Sequence, residues 1–183
     1  MEFQSLESNR LFYIELSDSH AGELFEIFSN RKVMKYYGMD PIQDVEQAYD
    51  LIHSFQQALT NDKGVRYGIL FKNNNRLIGT IGLNNMSLWH KRAEIGYELH
   101  PEYWNRGIIT EAIRCIVEYS FNELGLHRIG AVTFPQNQSS IRALTKLGFQ
   151  EEGKLRDYLF QHNQSHDANV YSIIKQEWED SIK

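Results

Sequence analysis

The sequence is poor in the features that mark secreted, membrane-spanning and nucleic-acid-binding proteins. Its 183 residues include one cysteine, Cys115, so no intrachain disulfide can form, as is typical of a reducing cytoplasm. No apolar run approaches the length of a transmembrane helix, and the N-terminus lacks the basic and apolar regions of a signal peptide. A net charge of −5 argues against a broad nucleic-acid-binding face. We therefore expect a cytoplasmic protein that binds neither membrane nor nucleic acid.

The composition is otherwise that of an ordinary globular protein. Hydrophobic residues make up 42% of the chain and charged residues 23%, which suffices for one domain with a full core. No internal repeat, low-complexity tract or linker interrupts the chain. Residues 1–183 are therefore interpreted as a single domain.

Hydrophobic periodicity predicts helices interleaved with a mostly antiparallel sheet, that is, a mixed α/β sandwich and not a doubly wound parallel fold. Residues 30–40 are predicted to be irregular. The predicted strands are 10–16, 66–71, 76–83, 92–99, 128–133, 149–159 and 167–175. The predicted helices begin at Ser17 or Asp18, at Asp44 with a capping-box-like Gln47, at Ile109, and at Asn137.

The tight turn at residues 103–112, Tyr-Trp-Asn-Arg-Gly-Ile-Ile-Thr-Glu-Ala, lies between a predicted strand and a predicted helix. A helix start exposes unpaired N–H groups and the positive end of the macrodipole, so this turn can bind an anion such as a phosphate. Gly107 lets a ligand approach the backbone closely. Taken alone the pattern is weak, because most strand-turn-helix units with one glycine are purely structural.

A second stretch, Asn137 to Phe149, strengthens the interpretation because it follows the turn at the expected distance. With residues 90–97, 99–112 and 151–156, it resembles the GNAT N-acetyltransferases, and within them the bacterial ribosomal-protein N-terminal acetyltransferases. The order of elements is similar nearly end to end. The resemblance implies a GNAT-like mixed, mostly antiparallel sheet of about seven strands flanked by about four helices. It also implies acetyl-CoA as co-substrate, an amine acceptor, no metal and a possible homodimer.

The resemblance further implies where acetyl-CoA binds. The pyrophosphate would lie on the turn, and a backbone N–H near Glu98 or Leu99 would stabilise the tetrahedral oxyanion. Asn137 would hold the pantetheine arm, and Ser140 would supply a proton to the departing sulfur. The expected cofactor-binding residues are Glu98, Leu99, Asn105, Arg106, Gly107, Ile108, Ile109, Thr110, Asn137 and Ser140.

Three positions depart from the general family pattern. Trp104 and Ile109 stand where the pattern has Arg or Gln and Gly or Ala, so the turn backbone must carry more of the phosphate binding, with help from Arg106. Many GNAT enzymes place a proton-donating tyrosine seven residues after the asparagine, where this chain has Leu144. The ribosomal branch instead uses a serine three residues after it, which is Ser140 here. A serine in a first helical turn is also common without any chemistry.

The attacking amine must be neutral. An α-amine has a pKa of about 8 and a lysine amine about 10.4, so a site with a weak base suits an N-terminus better. Glu94 is the first candidate for the catalytic base, although Glu94 and Glu98 could equally form a solvated or salt-bridged face. The glutamate that is thought to assist ribosomal relatives is replaced by Leu159.

Other polar and aromatic residues have simpler explanations. His162 and His166 are spaced like metal ligands but lack an evident third ligand, so a surface loop is expected. Tyr36, Tyr37 and Trp89 would line the acceptor cleft or cover the core. The resulting hypothesis is transfer of an acetyl group to a protein N-terminal amine. The alternatives are a small-amine acetyltransferase, for a polyamine, antibiotic or amino acid, and a non-catalytic acyl-CoA sensor.

Overall fold

The structure is a computed structural model that describes residues 1–181. The strands are β1 (Leu6–Glu7), β2 (Leu11–Glu15), β3 (Val65–Phe71), β4 (Arg76–Ser87), β5 (Arg92–Leu99), β6 (Arg128–Thr133), β7 (Gln150–Gln161) and β8 (Gln164–Ile174). The helices are α1 (Ala21–Phe28), α2 (Arg31–Met34), α3 (Val45–Thr60), α4 (Ile108–Asn122), α5 (Gln138–Lys146) and α6 (Lys175–Ser181). None of the helices described is long and apolar enough to cross a membrane.

The strands form one eight-stranded sheet in the order β1-β2-β3-β4-β5-β6-β8-β7. Every neighbouring pair is antiparallel except β5 and β6, which run parallel. This confirms the predicted mixed, mostly antiparallel sheet. The parallel pair is joined only from Arg92 opposite Arg128 to Glu94 opposite Gly130. Beyond Glu94 the two strands separate, and the sheet opens between their C-terminal ends.

Apolar residues cover the sheet in two clusters. The larger contains the inner face of α4, and Ile113, Ile116 and Val117 in it have no exposed surface. The smaller packs α1 and α3 together around Leu24 and Ile52. Since each fully buried aliphatic side chain contributes about 1.5–3 kcal/mol, these clusters fix the helices firmly on the sheet.

Several elements differ from the sequence prediction, mostly because they are too short to show a period. Strand β1 has two residues, and α2 is a single helical turn within the segment expected to be irregular. Helix α6 was not predicted, and it is held by Trp178, which is 3% exposed in the core. Strand β4 runs on to Ser87, past a register shift after Asn84. The predicted start of α3 is confirmed, because the Asp44 carboxylate accepts the Gln47 N–H.

Candidate active site

The opening between β5 and β6 presents backbone groups of β5. His100 N–H donates to Ile78 O at 2.7 Å, so His100 faces β4. Because successive residues of a strand point their N–H and C=O groups to opposite sides, Glu98 also faces β4, where it lies opposite Thr80. Tyr97 and Leu99 therefore point theirs into the opening. Of the two oxyanion donors left open by the sequence, this geometry favours Leu99, and it adds Tyr97.

The turn before α4 has the shape of an anion site. Asn105 and Gly107 both adopt left-handed conformations, with φ of 58° and 69°. The first helical hydrogen bond runs from Glu111 N–H to Gly107 O at 3.1 Å. The N–H groups of residues 108–110 precede that bond and have no carbonyl partner within the helix. They point out of the helix start, where the dipole favours negative charge, so the turn fits a pyrophosphate.

Arg10 braces this turn through contacts that no local sequence pattern indicates. The Arg10 guanidinium donates to Arg106 O at 2.8 Å and to Glu111 Oε2 at 2.7 Å. The Arg10 N–H donates to Glu111 Oε1 at 2.8 Å. Burial alone would raise the pKa of Glu111, but the hydrogen bonds from Arg10 and Ser8 lower it overall. The brace thus fixes the turn from a residue almost a hundred positions earlier.

Trp104 and Arg106 have contacts that their place in the motif did not predict. The Trp104 indole N–H donates to Leu99 O at 2.7 Å, so it covers one carbonyl that faces the opening. Its side chain remains 40% exposed. The Arg106 guanidinium lies 5.6 Å from the centre of the Tyr103 ring and is exposed at the turn. Trp104 therefore lies beside the expected path of the pantetheine arm.

The opposite side of the opening is formed by the start of α5. Asn137 Oδ1 accepts from Ser140 N–H at 3.2 Å and from the Ser139 hydroxyl at 2.9 Å. This leaves the Asn137 side-chain N–H groups free of the bonds that cap the helix. The Ser140 hydroxyl oxygen lies 2.6 Å from the Tyr97 hydroxyl oxygen. Leu144 is 1% exposed and packs in the core.

Tyr97 is a neutral phenol held against Ser140. Burial raises the pKa of Tyr97 to about 12. The pair joins β5 to α5 across the opening. The Ser140 N–H is bonded to the capping residue Asn137, and the Ser140 hydroxyl is bonded to Tyr97 within the candidate site.

Glu94 lies on the other face of β5. Its Oε2 accepts from Asn85 Nδ2 at 3.0 Å. It also lines a cleft of about 60 Å³, together with Arg92, Arg128 and Gly130. Arg128, in the lining of this cleft, donates a hydrogen bond to Glu152 that lowers the pKa of Glu152 to about 2. Glu94 thus lies where β5 and β6 are still paired, at the closed end of the opening.

Glu98 shares that face but is buried. Its carboxylate accepts from the Thr80 hydroxyl, and its second oxygen lies 3.6 Å from Arg66 Nη2. Arg66 also donates to Gly96 O and to the Tyr37 hydroxyl, each at 2.7 Å. Burial raises the pKa of Glu98 in spite of Arg66. Tyr37 thus joins a buried polar cluster, which the sequence analysis did not predict.

The remaining candidates lie apart from this site or have structural contacts. His162 Nδ1 lies 2.6 Å from Asp40, and His166 Nε2 lies 3.2 Å from Gln161 O. In residues 1–181 no three histidine, cysteine or acidic side chains are grouped to hold a metal ion. Tyr36 packs against Phe134, with ring centres 5.8 Å apart. Trp89 is 90% exposed at the β4–β5 turn.

The fold and the turn before α4 together fit an acyltransferase that uses an anionic cofactor. The acetyltransferase (GNAT) domain family matches residues 10–150, and the chain belongs to this family. The acyl donor is acetyl-CoA. The exposed N–H groups of the turn and the opening in the sheet fit this donor.

Individual relatives agree on the class of enzyme. The uncharacterized N-acetyltransferase YoaA of Bacillus subtilis is 44% identical, over 94% of this chain and 98% of its own. The putative ribosomal N-acetyltransferase YdaF of the same organism is 36% identical, over 70% and 69%. The spermidine N(1)-acetyltransferase of Escherichia coli is 25% identical, over 84% and 80%. The crystal structure of a probable acetyltransferase aligns with a TM-score of 0.86 at 28% identity, over 96% and 99%.

Proposed function

We propose that the enzyme transfers the acetyl group of acetyl-CoA to the N-terminal amine of a protein, such as a ribosomal protein, within a ternary complex. The observation that carries the proposal is the placing of Ser140 at the opening, with Leu144 buried in the core. A leaving-group donor is thus present on α5 without a tyrosine at residue 144. The relative named as a putative ribosomal N-acetyltransferase supports the same acceptor class.

Groups on both sides of the opening bind acetyl-CoA and assist the reaction. The N–H groups of residues 108–110 bind the pyrophosphate, and the Asn137 amide holds the pantetheine arm. The N–H groups of Tyr97 and Leu99 point at the thioester carbonyl and stabilise the oxyanion as it forms. Ser140 donates its proton to the sulfur as the carbon–sulfur bond breaks. The amine attacks from the face that carries Glu94, the base predicted from the sequence.

An N-terminal amine fits a site of this kind. At pH 7 about a tenth of an α-amine with a pKa near 8 is already neutral, but only about one lysine amine in 2,500. Glu94 accepts a hydrogen bond from Asn85 and lies at the closed end of the opening. An acceptor that needs little deprotonation is therefore favoured.

A small amine is the second candidate acceptor. Its support is the match to a spermidine acetyltransferase over most of the chain, together with the half-buried carboxylate of Glu94 on β5. Such a carboxylate attracts a polyamine cation.

The test is release of the CoA thiol from acetyl-CoA in the presence of two acceptor sets. One set contains peptides that copy ribosomal-protein N-termini, and the other contains polyamines, amino acids and aminoglycosides. Each peptide has a matched control with a blocked N-terminus and one internal lysine. Release with free N-termini alone is the expected result. Release only with small amines would refute the protein acceptor, and release with neither set would refute both proposed acceptors.

A further inference from the structure

Tyr97 brings a phenol next to Ser140, the proposed proton donor to the departing sulfur. Its hydroxyl oxygen lies 2.6 Å from Ser140 Oγ, although the two residues are 43 positions apart. Tyr97 comes from β5 and Ser140 from the first turn of α5, so they approach each other from opposite sides of the opening. The motif around Asn137 assigns a role to Ser140 but none to Tyr97.

The direction of this hydrogen bond follows from the chemistry of Ser140. A hydroxyl group has one hydrogen to donate and two lone pairs that accept. If the Ser140 hydrogen points at the sulfur, the hydrogen between the two oxygens must belong to Tyr97. The backbone of Ser140 is already fixed, because its N–H donates to Asn137 Oδ1 at 3.2 Å. When the phenol donates, the Ser140 hydroxyl hydrogen is therefore directed towards the opening.

The phenol is suited to donate throughout the neutral pH range. Burial raises the pKa of Tyr97 to about 12, so the hydroxyl keeps its proton. A donated hydrogen bond also polarises the acceptor hydroxyl and makes its own proton easier to give, since linked hydrogen bonds strengthen one another. Leu144, on the same helix as Ser140, offers no donor and is 1% exposed.

We propose that Tyr97 is a positioning residue: it donates a hydrogen bond to Ser140 Oγ and so keeps the Ser140 hydroxyl hydrogen directed at the sulfur of the departing CoA. This inference rests on the acetyl-transfer function proposed above. In the step, the amine nitrogen bonds to the acetyl carbon and the carbon–sulfur bond breaks. The sulfur takes the Ser140 proton while the Ser140 oxygen takes the phenol proton. Tyr97 regains a proton from solvent, which balances the proton that the amine nitrogen releases.

The test compares Tyr97→Phe, Ser140→Ala and the double variant with Tyr158→Phe, a control on the exposed part of β7. Turnover is measured with any amine that the wild type acetylates. Tyr97→Phe is expected to lower kcat about tenfold, and Ser140→Ala about a hundredfold, at unchanged KM for acetyl-CoA. The double variant is expected to lose no more than Ser140→Ala, because Tyr97 acts only through Ser140. Tyr158→Phe should match the wild type.

A second measurement separates this role from simple packing. Two protons move together in the wild type, so kcat should depend on the deuterium content of the solvent with a curved proton inventory, which becomes linear in Tyr97→Phe. The inference would be overturned if the decreases in kcat of the two single variants multiply in the double variant, or if kcat is unchanged in Tyr97→Phe. A wild type that acetylates no amine would overturn the proposed function, and the inference with it. If the wild type acetylates an amine and the decreases in kcat of the two single variants multiply in the double variant, only the inference about Tyr97 is overturned.

Discussion

The binding turn makes a sharp prediction about Gly107. Its φ of +69° lies in the left-handed region, where a side chain costs about 1–2 kcal/mol. A Cβ placed there would meet Arg10 Nη2 at 3.7 Å, which is ordinary contact, so Gly107→Ala adds backbone strain without a clash inside the protein. The added methyl group would, however, lie on the surface that the pyrophosphate must approach.

Gly125 is a matched control near the other end of the same helix. Its φ is +63°, and a Cβ there would meet nothing within 4 Å. Gly125→Ala should therefore cost about the same strain, on the order of 1 kcal/mol, and lower the melting temperature by about 2–4 °C. Because Gly125 follows the C-terminus of α4, this variant should bind CoA as the wild type does.

The assay is calorimetric titration with CoA, beside thermal unfolding of each variant. Gly107→Ala should weaken CoA binding at least about tenfold, which corresponds to about 1.4 kcal/mol, at the same stability loss as Gly125→Ala. Equal CoA affinity in the two variants would refute the assignment of the turn as the pyrophosphate site. A stability loss in Gly107→Ala far above that of Gly125→Ala would show that strain, and not contact with the ligand, explains the result.

Three further predictions concern the surroundings of the site. Arg10→Met should weaken CoA binding about tenfold in the same titration, because the turn would lose its hydrogen bond at Arg106 O, and the Glu111 carboxylate, left without a cationic partner, would repel the pyrophosphate. CoA should change the tryptophan fluorescence of the wild type and of Trp89→Phe but not of Trp104→Phe, since only the Trp104 indole lies beside the opening. The pKa of Glu152 is lowered from 4.5 to about 2 in the folded state, so its contribution is present above pH 4.5 and lost as the pH falls towards 2. Glu152→Gln should therefore lower the free energy of unfolding at pH 7 by less than about 1 kcal/mol, because the pair is exposed, and so lower the melting temperature by less than about 4 °C; near pH 2 it should match the wild type.

The long periodic elements could be predicted from the sequence because local rules determine them. Helix α4 shows a clear apolar stripe, and Asp44 caps α3 as its position indicates. The elements that were missed are those that depend on distant partners. Strand β1 exists because Leu6 pairs with Tyr13, and α6 because Trp178 packs in the core. No local pattern of two or seven residues signals such contacts.

The candidate site divides in the same way. Gly107 and Ser140 were found in motifs, because a phosphate-binding turn and a helix start have local signatures. Tyr97, Arg10 and Arg66 were not found, because each acts on a residue far from it in sequence. Their roles become visible only in contacts such as Tyr97 with Ser140 and Arg10 with Glu111.

The sequence by itself determined the family of the protein, the order of its main elements and the turn that is the candidate site for the acyl donor. These features depend on residues within a few positions of one another, where periodicity, capping and glycine conformation act. The tertiary structure alone decided which backbone groups face the opening between β5 and β6, and which side chains meet across it. That opening exists because a parallel pairing of three residues ends at Glu94 and the strands then diverge. Strand pairing of this kind joins segments more than thirty residues apart, so its limits follow from packing of the whole sheet and not from either segment.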